Sequence, residues 1–192
     1  MTTELRYHPD NLNFTYRFPI ITKQVGFGPQ TDLQIKRTIL ERGDEQGRKT
    51  NVKALMTGWF MQKEDSLFKE IGQQAIDLAQ KHSPHKLKFE TYDCWGSISY
   101  EGDWTKTHDH WPHPWSWVYY SAVSEDCSPL HFPHTGFNSE EWADIGDNSK
   151  GYWVQPQQGE LIMWPGWLYH GTKPQKTDFE RVIVAGNIYV NI

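Results

Sequence analysis

Two periodicities divide the chain. Between about residues 31 and 83 two segments carry apolar positions at helical spacing. After Leu87 they fall into short runs broken by turn residues. Residues 18–22 (FPIIT) predict a short strand entering the domain. Residues 31–42 (TDLQIKRTILER) predict a helix, with Thr31 or Asp32 as N-cap and Gly43 as C-cap, although its apolar stripe of Leu33, Ile35, Ile39 and Leu40 is imperfect. After the loop GDEQGRKTN comes a second helix, capped by Asp65 or Ser66. It carries Phe68, Ile71, Ala75, Leu78 and His82 at helical spacing, and Pro84 stops it.

Beyond Leu87 the runs KFETYDCW, SISY, WVYYSAV, PLHF, YWVQP, ELIMW and ERVIVAGNIYVNI are rich in aromatic and β-branched residues, with Gly and Pro between them. Strands of this length and spacing predict an antiparallel sandwich or barrel. The expected fold class is mainly β with flanking helices. A single domain over 1–192 is predicted, with two N-terminal helices (about 31–83) packed on a β-barrel core (about 87–192) and no linker between them.

Composition narrows the chemistry. Nineteen basic against 24 acidic residues leave a net charge of −5, which argues against nucleic-acid backbone binding, since counterion release needs a basic face. With 22% charged and 37% hydrophobic residues the chain is too apolar for disorder and too polar for a membrane protein. No run approaches the roughly 18 apolar residues of a membrane span, and the N-terminus has no apolar signal region, so a cytoplasmic protein is expected. Cys94 and Cys127 stand 33 positions apart, neither a zinc knuckle nor a disulfide framework, and are expected to be reduced. Metal chemistry would then fall to histidines and carboxylates. The nine histidines and ten tryptophans are the surplus that needs a physical account.

Residues 107–115 read THDHWPHPW. On a strand, His108 and His110 project from one face while Asp109 points away. His170, some sixty residues on, would add a third imidazole from a distant strand, forming a facial metal site with open positions. The usual non-heme iron triad has two histidines and one carboxylate; here the carboxylate sits between the histidines. The alternative is a set of surface histidines in an aromatic-rich loop. His113 stands between two prolines, beyond the strand. His8, His82, His85, His131 and His134 read as cap, surface or core residues. Arg181 follows His170 by 11 positions, so the two are expected on adjacent strands of a hairpin, with Arg181 deep in the barrel. A buried guanidinium needs an anion, and its fork matches a carboxylate. The alternative is a surface arginine paired with Asp178 or Glu180. Asn187, six residues beyond Arg181, shares its face on a regular strand and is a candidate for substrate or supporting contact.

These residues resemble the Fe(II)/2-oxoglutarate-dependent oxygenase superfamily, and within it a small bacterial and phage-type branch. The resemblance rests on Gly102-Asp103-Trp104, His108-Asp109-His110 and Val118-Tyr119-Tyr120. It is completed by Gly159, Leu161, Pro165, Trp167, Leu168, His170, Glu180, Arg181 and Gly186-Asn187-Ile188. It covers about residues 50–192. It implies a double-stranded β-helix (a jelly-roll or cupin-like barrel), with iron held by His108, His110 and His170. Arg181 would bind the distal carboxylate of 2-oxoglutarate. The implied reaction consumes O₂, decarboxylates 2-oxoglutarate to succinate and oxidises a substrate, with a protein or amino-acid side chain the preferred class. HxH replaces the superfamily's usual HxD/E, and Asp109 is the alternative second ligand if a bulge rotates the strand. Tyr100 and Tyr120 are candidate cosubstrate contacts. Two other classes fit part of the pattern. A cupin, acting as a 2-oxoglutarate-independent dioxygenase or isomerase, matches Gly102 and HxH but lacks the Glu of its first motif, and it leaves Arg181 without a task. A non-enzymatic aromatic-lined binding module would use Trp111, Trp115 and Trp117 at the mouth, residues that core packing accounts for equally well.

Overall fold

Helix α1 (Pro29–Arg42) starts where Gly28 takes a positive φ of 92° and Pro29 supplies the first helical residue. The expected cap is thereby displaced. Asp32 lies in the first turn instead of at the cap, and its carboxylate accepts from the Ser121 hydroxyl (2.8 Å). A single turn, α2 (Met61–Glu64), precedes α3 (Ser66–His82). The Asp65 carboxylate caps α3 by accepting from the Leu67 and Phe68 amides. The described residues therefore hold three helices where two were expected. None is long and apolar enough to cross a membrane.

The computed structural model describes residues 19–44, 51–83, 86–133 and 151–191. Phe18, Pro84, His8, His85, His134 and most of the 43–51 loop lie outside them. The strands are β1 (Ile21–Gln24), β2 (Val52–Lys53), β3 (Leu55–Met56), β4 (Phe89–Ser99), β5 (Trp104–His108) and β6 (Trp115–Ala122). They continue with β7 (Leu130–Phe132), β8 (Tyr152–Val154), β9 (Glu160–Pro165), β10 (His170–Thr172) and β11 (Arg181–Val190). KFETYDCW and SISY merge into the one strand β4, because Gly96 continues the ladder opposite Val184.

The fold is mainly β, with antiparallel pairing throughout two sheets. The larger runs β1-β9-β6-β11-β4-β3 and the smaller β2-β5-β10-β7-β8. The helices pack on the outer face of the larger sheet, where Ile35, Ile39, Phe68 and Ile71 meet Trp115, Trp117 and Val184. A second core, including Val118, Tyr120, Leu130, Phe132 and Trp164, fills the space between the sheets. Trp115 and Trp117 thus pack beneath the helices, whereas Trp111 stands 74% exposed.

Alternation on the three central strands of the larger sheet directs a second set of side chains between the sheets. The register aligns them in rows: Ser97–Ile183–Tyr120, then Trp95–Ala185–Val118, then Asp93–Asn187–Ser116. Ser99 and Arg181 form the row beyond Ser97.

Candidate functional site

His108 ends β5 and pairs directly with His170 at the start of β10. His110 lies two residues past the strand end, so the pleat does not carry it to its place. Its amide donates to the Gly166 carbonyl (2.7 Å), and its own carbonyl accepts from the His113 amide (2.9 Å). Those bonds turn the chain so that the three imidazoles converge, with donor atoms all within 4.8 Å of one another. Ring centroids are 4.5–5.0 Å apart. Asp109 is not in the cluster; its carboxylate accepts from the Trp111 amide (3.1 Å).

Two of the rings have their tautomer set by the backbone. Nδ1 of His108 lies 2.7 Å from the Lys106 carbonyl and Nδ1 of His170 lies 2.9 Å from that of Leu168. A carbonyl only accepts, so both Nδ1 atoms carry the proton and both Nε2 lone pairs are left for a ligand. The Trp164 indole N–H also lies against Nδ1 of His170 (3.2 Å), a contact that would favour the opposite tautomer; the shorter carbonyl bond decides. Burial pushes all three imidazoles below the usual histidine value. His110 falls to about 3, its burial reinforced by His108 and His113, and His170 lies well below. Three neutral, desolvated nitrogen donors suit a borderline divalent metal.

Arg181 opens β11 and is 3% exposed. The expected hairpin with His170 does not form. β10 pairs with β5 and β7 in the smaller sheet, while β11 pairs with β4 and β6 in the larger. The connection over residues 173–180 crosses from one sheet to the other, so His170 and Arg181 face a common cavity from opposite walls. The surface ion pair also fails to form, since Glu180 pairs with Lys36. Among the described residues the guanidinium meets only neutral oxygens: the Ser128 carbonyl (3.3 Å), Ser99 Oγ (3.2 Å) and Thr172 Oγ1 (3.4 Å). Its Nε–H is buried without a partner. A buried cation among neutral acceptors has the chemistry to take an anion.

The cavity encloses about 630 Å³ of empty space, mouth included, and is lined by all three histidines, Arg181, Ser97, Ser99 and Tyr120. Tyr120 is buried and its hydroxyl pKa is raised by burial; Tyr100 packs at the edge of the helix-side core. His170 and Thr172 are two residues apart on β10, about 6.6 Å at the usual strand rise. The histidine cluster and the guanidinium are therefore separated by a length of the order of a five-carbon dicarboxylate. Asn187 does not line the cavity; its side chain is engaged by Asp93 and Ser116. Ser99, Thr172 and Ser128 escaped the sequence reading. For Ser97 and Ser99 a signal existed, since they alternate with Gly96 and Ile98 at the end of β4.

Gly171 makes the pairing of His108 with His170 possible. A Cβ there would lie 2.8 Å from the Thr105 carbonyl oxygen and 3.0 Å from the Thr107 amide, both backbone atoms of β5. Gly171→Ala must push β10 away from β5. It is expected to lower metal affinity about tenfold or more, the usual cost of a misplaced ligand shell, with all three histidines intact. Calorimetric titration with Ni(II) would show this; unchanged affinity would exclude a role for that contact.

Residues 93–187 match the family model described as "Putative 2OG-Fe(II) oxygenase". No curated protein sequence matches the chain. Among solved structures, the chain resembles HygX from Streptomyces hygroscopicus, crystallised with nickel, 2-oxoglutarate and hygromycin B. The identity is 13%, with 88% of this chain and 82% of that one covered, and the TM-score is 0.63. A prolyl-4-hydroxylase from Pseudomonas putida is 15% identical over 91% of this chain and 94% of that one, with a TM-score of 0.62. A prolyl hydroxylase from Trichoplax adhaerens, in complex with a hypoxia inducible factor peptide fragment, is 12% identical over 89% and 82%, with a TM-score of 0.61. At these identities the likeness is one of fold.

Proposed function

We propose that the chain, whose residues 93–187 match the 2OG-Fe(II) oxygenase family model, is a non-heme Fe(II)- and 2-oxoglutarate-dependent oxygenase of the hydroxylase type. On this reading 1–192 is one double-stranded β-helix domain in the cytoplasm. The observation that carries the proposal is the pairing of two features in one cavity: three convergent neutral imidazoles and, on the opposite wall, a buried guanidinium with no carboxylate partner among the described residues. Three imidazoles by themselves would equally suit a structural metal, and a lone buried guanidinium would suit many anions. Together they fit a metal chelated by a keto acid whose far carboxylate needs a cation.

His108, His110 and His170 would hold the iron, and Arg181 the distal carboxylate of 2-oxoglutarate. Bound there, iron and 2-oxoglutarate supply O₂ activation coupled to decarboxylation to succinate, with oxidation of a substrate side chain or amino acid. The protein's own contribution is positional. The Lys106 and Leu168 carbonyls hold two ligand rings in one tautomer. Ser99 and Thr172 orient the guanidinium, which takes a carboxylate in place of weak neutral contacts. The apolar walls of Ile183, Ala185, Val118 and Trp164 keep water away from the oxidising centre. The all-histidine set leaves the full dipositive charge on the metal, where two histidines and a carboxylate would leave one. Binding of dianionic 2-oxoglutarate offsets that charge.

Anaerobic addition of Fe(II) and 2-oxoglutarate is expected to produce a metal-to-ligand charge-transfer band, and admission of O₂ to yield succinate. A protein that binds iron but shows no band with 2-oxoglutarate would refute the proposal and favour a cupin-type metal barrel.

A further inference from the structure

Arg181 lies at one end of the three central strands; at the other end is the row Asp93–Asn187–Ser116, which the oxygenase reading leaves without a task. The row is a single hydrogen-bonded unit across three strands. Asp93 Oδ1 accepts from the Asn187 backbone N–H (2.9 Å) and from its side-chain Nδ2–H (2.8 Å), and the Ser116 hydroxyl donates to Asn187 Oδ1 (2.7 Å). The polarity of this relay is fixed from one end. A carboxylate only accepts, so Asn187 must turn its amide nitrogen to Asp93 and its oxygen to Ser116. Ser116 spends its one proton on that oxygen. What it offers to the cavity, whose wall it forms, is lone pairs alone.

Asp93 adds charge to that polarity. It stands next to Trp95 on the cavity-facing side of β4, in a stretch whose register with β11 is unbroken from Ser99 to Asp93. Both Asn187 donors reach the same carboxylate oxygen; no described side chain bonds to the other. No described lysine or arginine forms an ion pair with it, and its nearby titratable neighbour is His113. Arg181 thus stands at one end of the cavity; past the other end is Asp93, half-buried and one row beyond Trp95, which does not itself line the cavity and whose carboxyl pKa is raised by burial. The histidines lie between: His110 packs against Trp95 (6.2 Å between ring centroids), one row from Asp93, while Thr172, two residues past His170, touches Arg181. If the cosubstrate occupies the Arg181 end, the far end is left for the substrate.

We propose that Asp93 and Ser116, set by Asn187, form a recognition site for a positively charged N–H donor on the substrate, a guanidinium or ammonium group, placed across the metal from the cosubstrate. The proposal rests on the oxygenase reading for which end is the substrate's. The acceptor-only polarity, and a carboxylate with no lysine or arginine partner among the described residues, stand independently of it.

The test uses two planar probes of nearly equal shape, N-butylguanidinium and the uncharged N-butylurea. Each is titrated calorimetrically into the protein loaded anaerobically with Fe(II) and 2-oxoglutarate, and again into protein with neither. The wild type is expected to bind the guanidinium about tenfold or more tightly than the urea, the usual margin of a charge-assisted hydrogen bond over a neutral one. Asp93→Asn, which still accepts from both Asn187 donors, should abolish the preference. Ser116→Ala should weaken both probes several-fold and leave their ratio unchanged. Rising salt should reduce the wild-type preference without any substitution, so the charge argument remains testable even if Asp93→Asn fails to fold. Equal binding of the two probes, binding of neither at millimolar concentration, or a preference that survives in Asp93→Asn would each overturn the proposal. Loss of the iron–2-oxoglutarate band with cation preference intact in unloaded protein would instead count against the oxygenase reading alone.

Discussion

Arg181→Met is expected to abolish the response to 2-oxoglutarate while leaving the free protein as stable as the wild type or more so. The two effects have opposite signs for one reason. Without an anion, the guanidinium is a buried charge held, among the described residues, only by the Ser128 carbonyl, Ser99 and Thr172 at 3.2–3.4 Å, with its Nε–H unpartnered. Replacing such a group by an apolar side chain of similar length removes a desolvation cost. With 2-oxoglutarate present the guanidinium gains a forked carboxylate partner, and truncating one member of a buried charged pair costs about 2–5 kcal/mol, a loss of affinity of about thirtyfold or more. Thermal melts with and without 2-oxoglutarate, in the presence of Ni(II), would show both effects. The wild-type midpoint should rise with 2-oxoglutarate and the variant's should not. A retained rise would remove Arg181 from the cosubstrate site. Arg181→Lys is expected to recover only part of it, since an ammonium cannot fork.

His170→Ala is expected to eliminate measurable metal binding. His170 is 4% exposed, pairs with His108 across the β5–β10 ladder, and has its proton tied to the Leu168 carbonyl. Losing only an orienting partner of a ligand costs about 10- to 100-fold in affinity, so losing the ligand should cost more than about a hundredfold. His110→Asp should behave oppositely. It restores two histidines and one carboxylate at a position held by the Gly166 and His113 backbone bonds, and is expected to retain metal. Equilibrium dialysis against Ni(II) separates the two variants. If Asp109→Ala rather than His110→Ala eliminated binding, the ligand set would be wrong, although the Asp109 carboxylate is engaged with the Trp111 amide.

Much of this site could be read along the chain because its signals are local. The strand runs after Leu87, the HxH spacing and the terminal His170 are patterns of a few residues, and strand alternation turns them into faces. Two local readings failed where the chain leaves regular structure. His110 lies past the end of β5, so backbone bonds, not the pleat, bring it beside His108. The cap of α1 moved from Thr31 or Asp32 to Gly28 because Pro29 starts the helix earlier. The tryptophan surplus divides by packing, which spacing does not report. Trp115 and Trp117 lie under the helices, Trp164 lines the cavity, and Trp111 is in solvent.

The sequence by itself determined the fold class, the resemblance, and which residue types could hold a metal and an anion, because propensity, periodicity and side-chain chemistry are properties of short segments. Only the tertiary structure decided that β10 and β11 belong to different sheets, so that His170 and Arg181 face each other rather than share a hairpin. The same packing buries Arg181 with no carboxylate partner among the described residues, and sets Asp93, Asn187 and Ser116, far apart in the chain, in one row with a single direction of hydrogen bonding. Whether a charge is compensated depends on what lies across the barrel, and strand register between distant segments sets that.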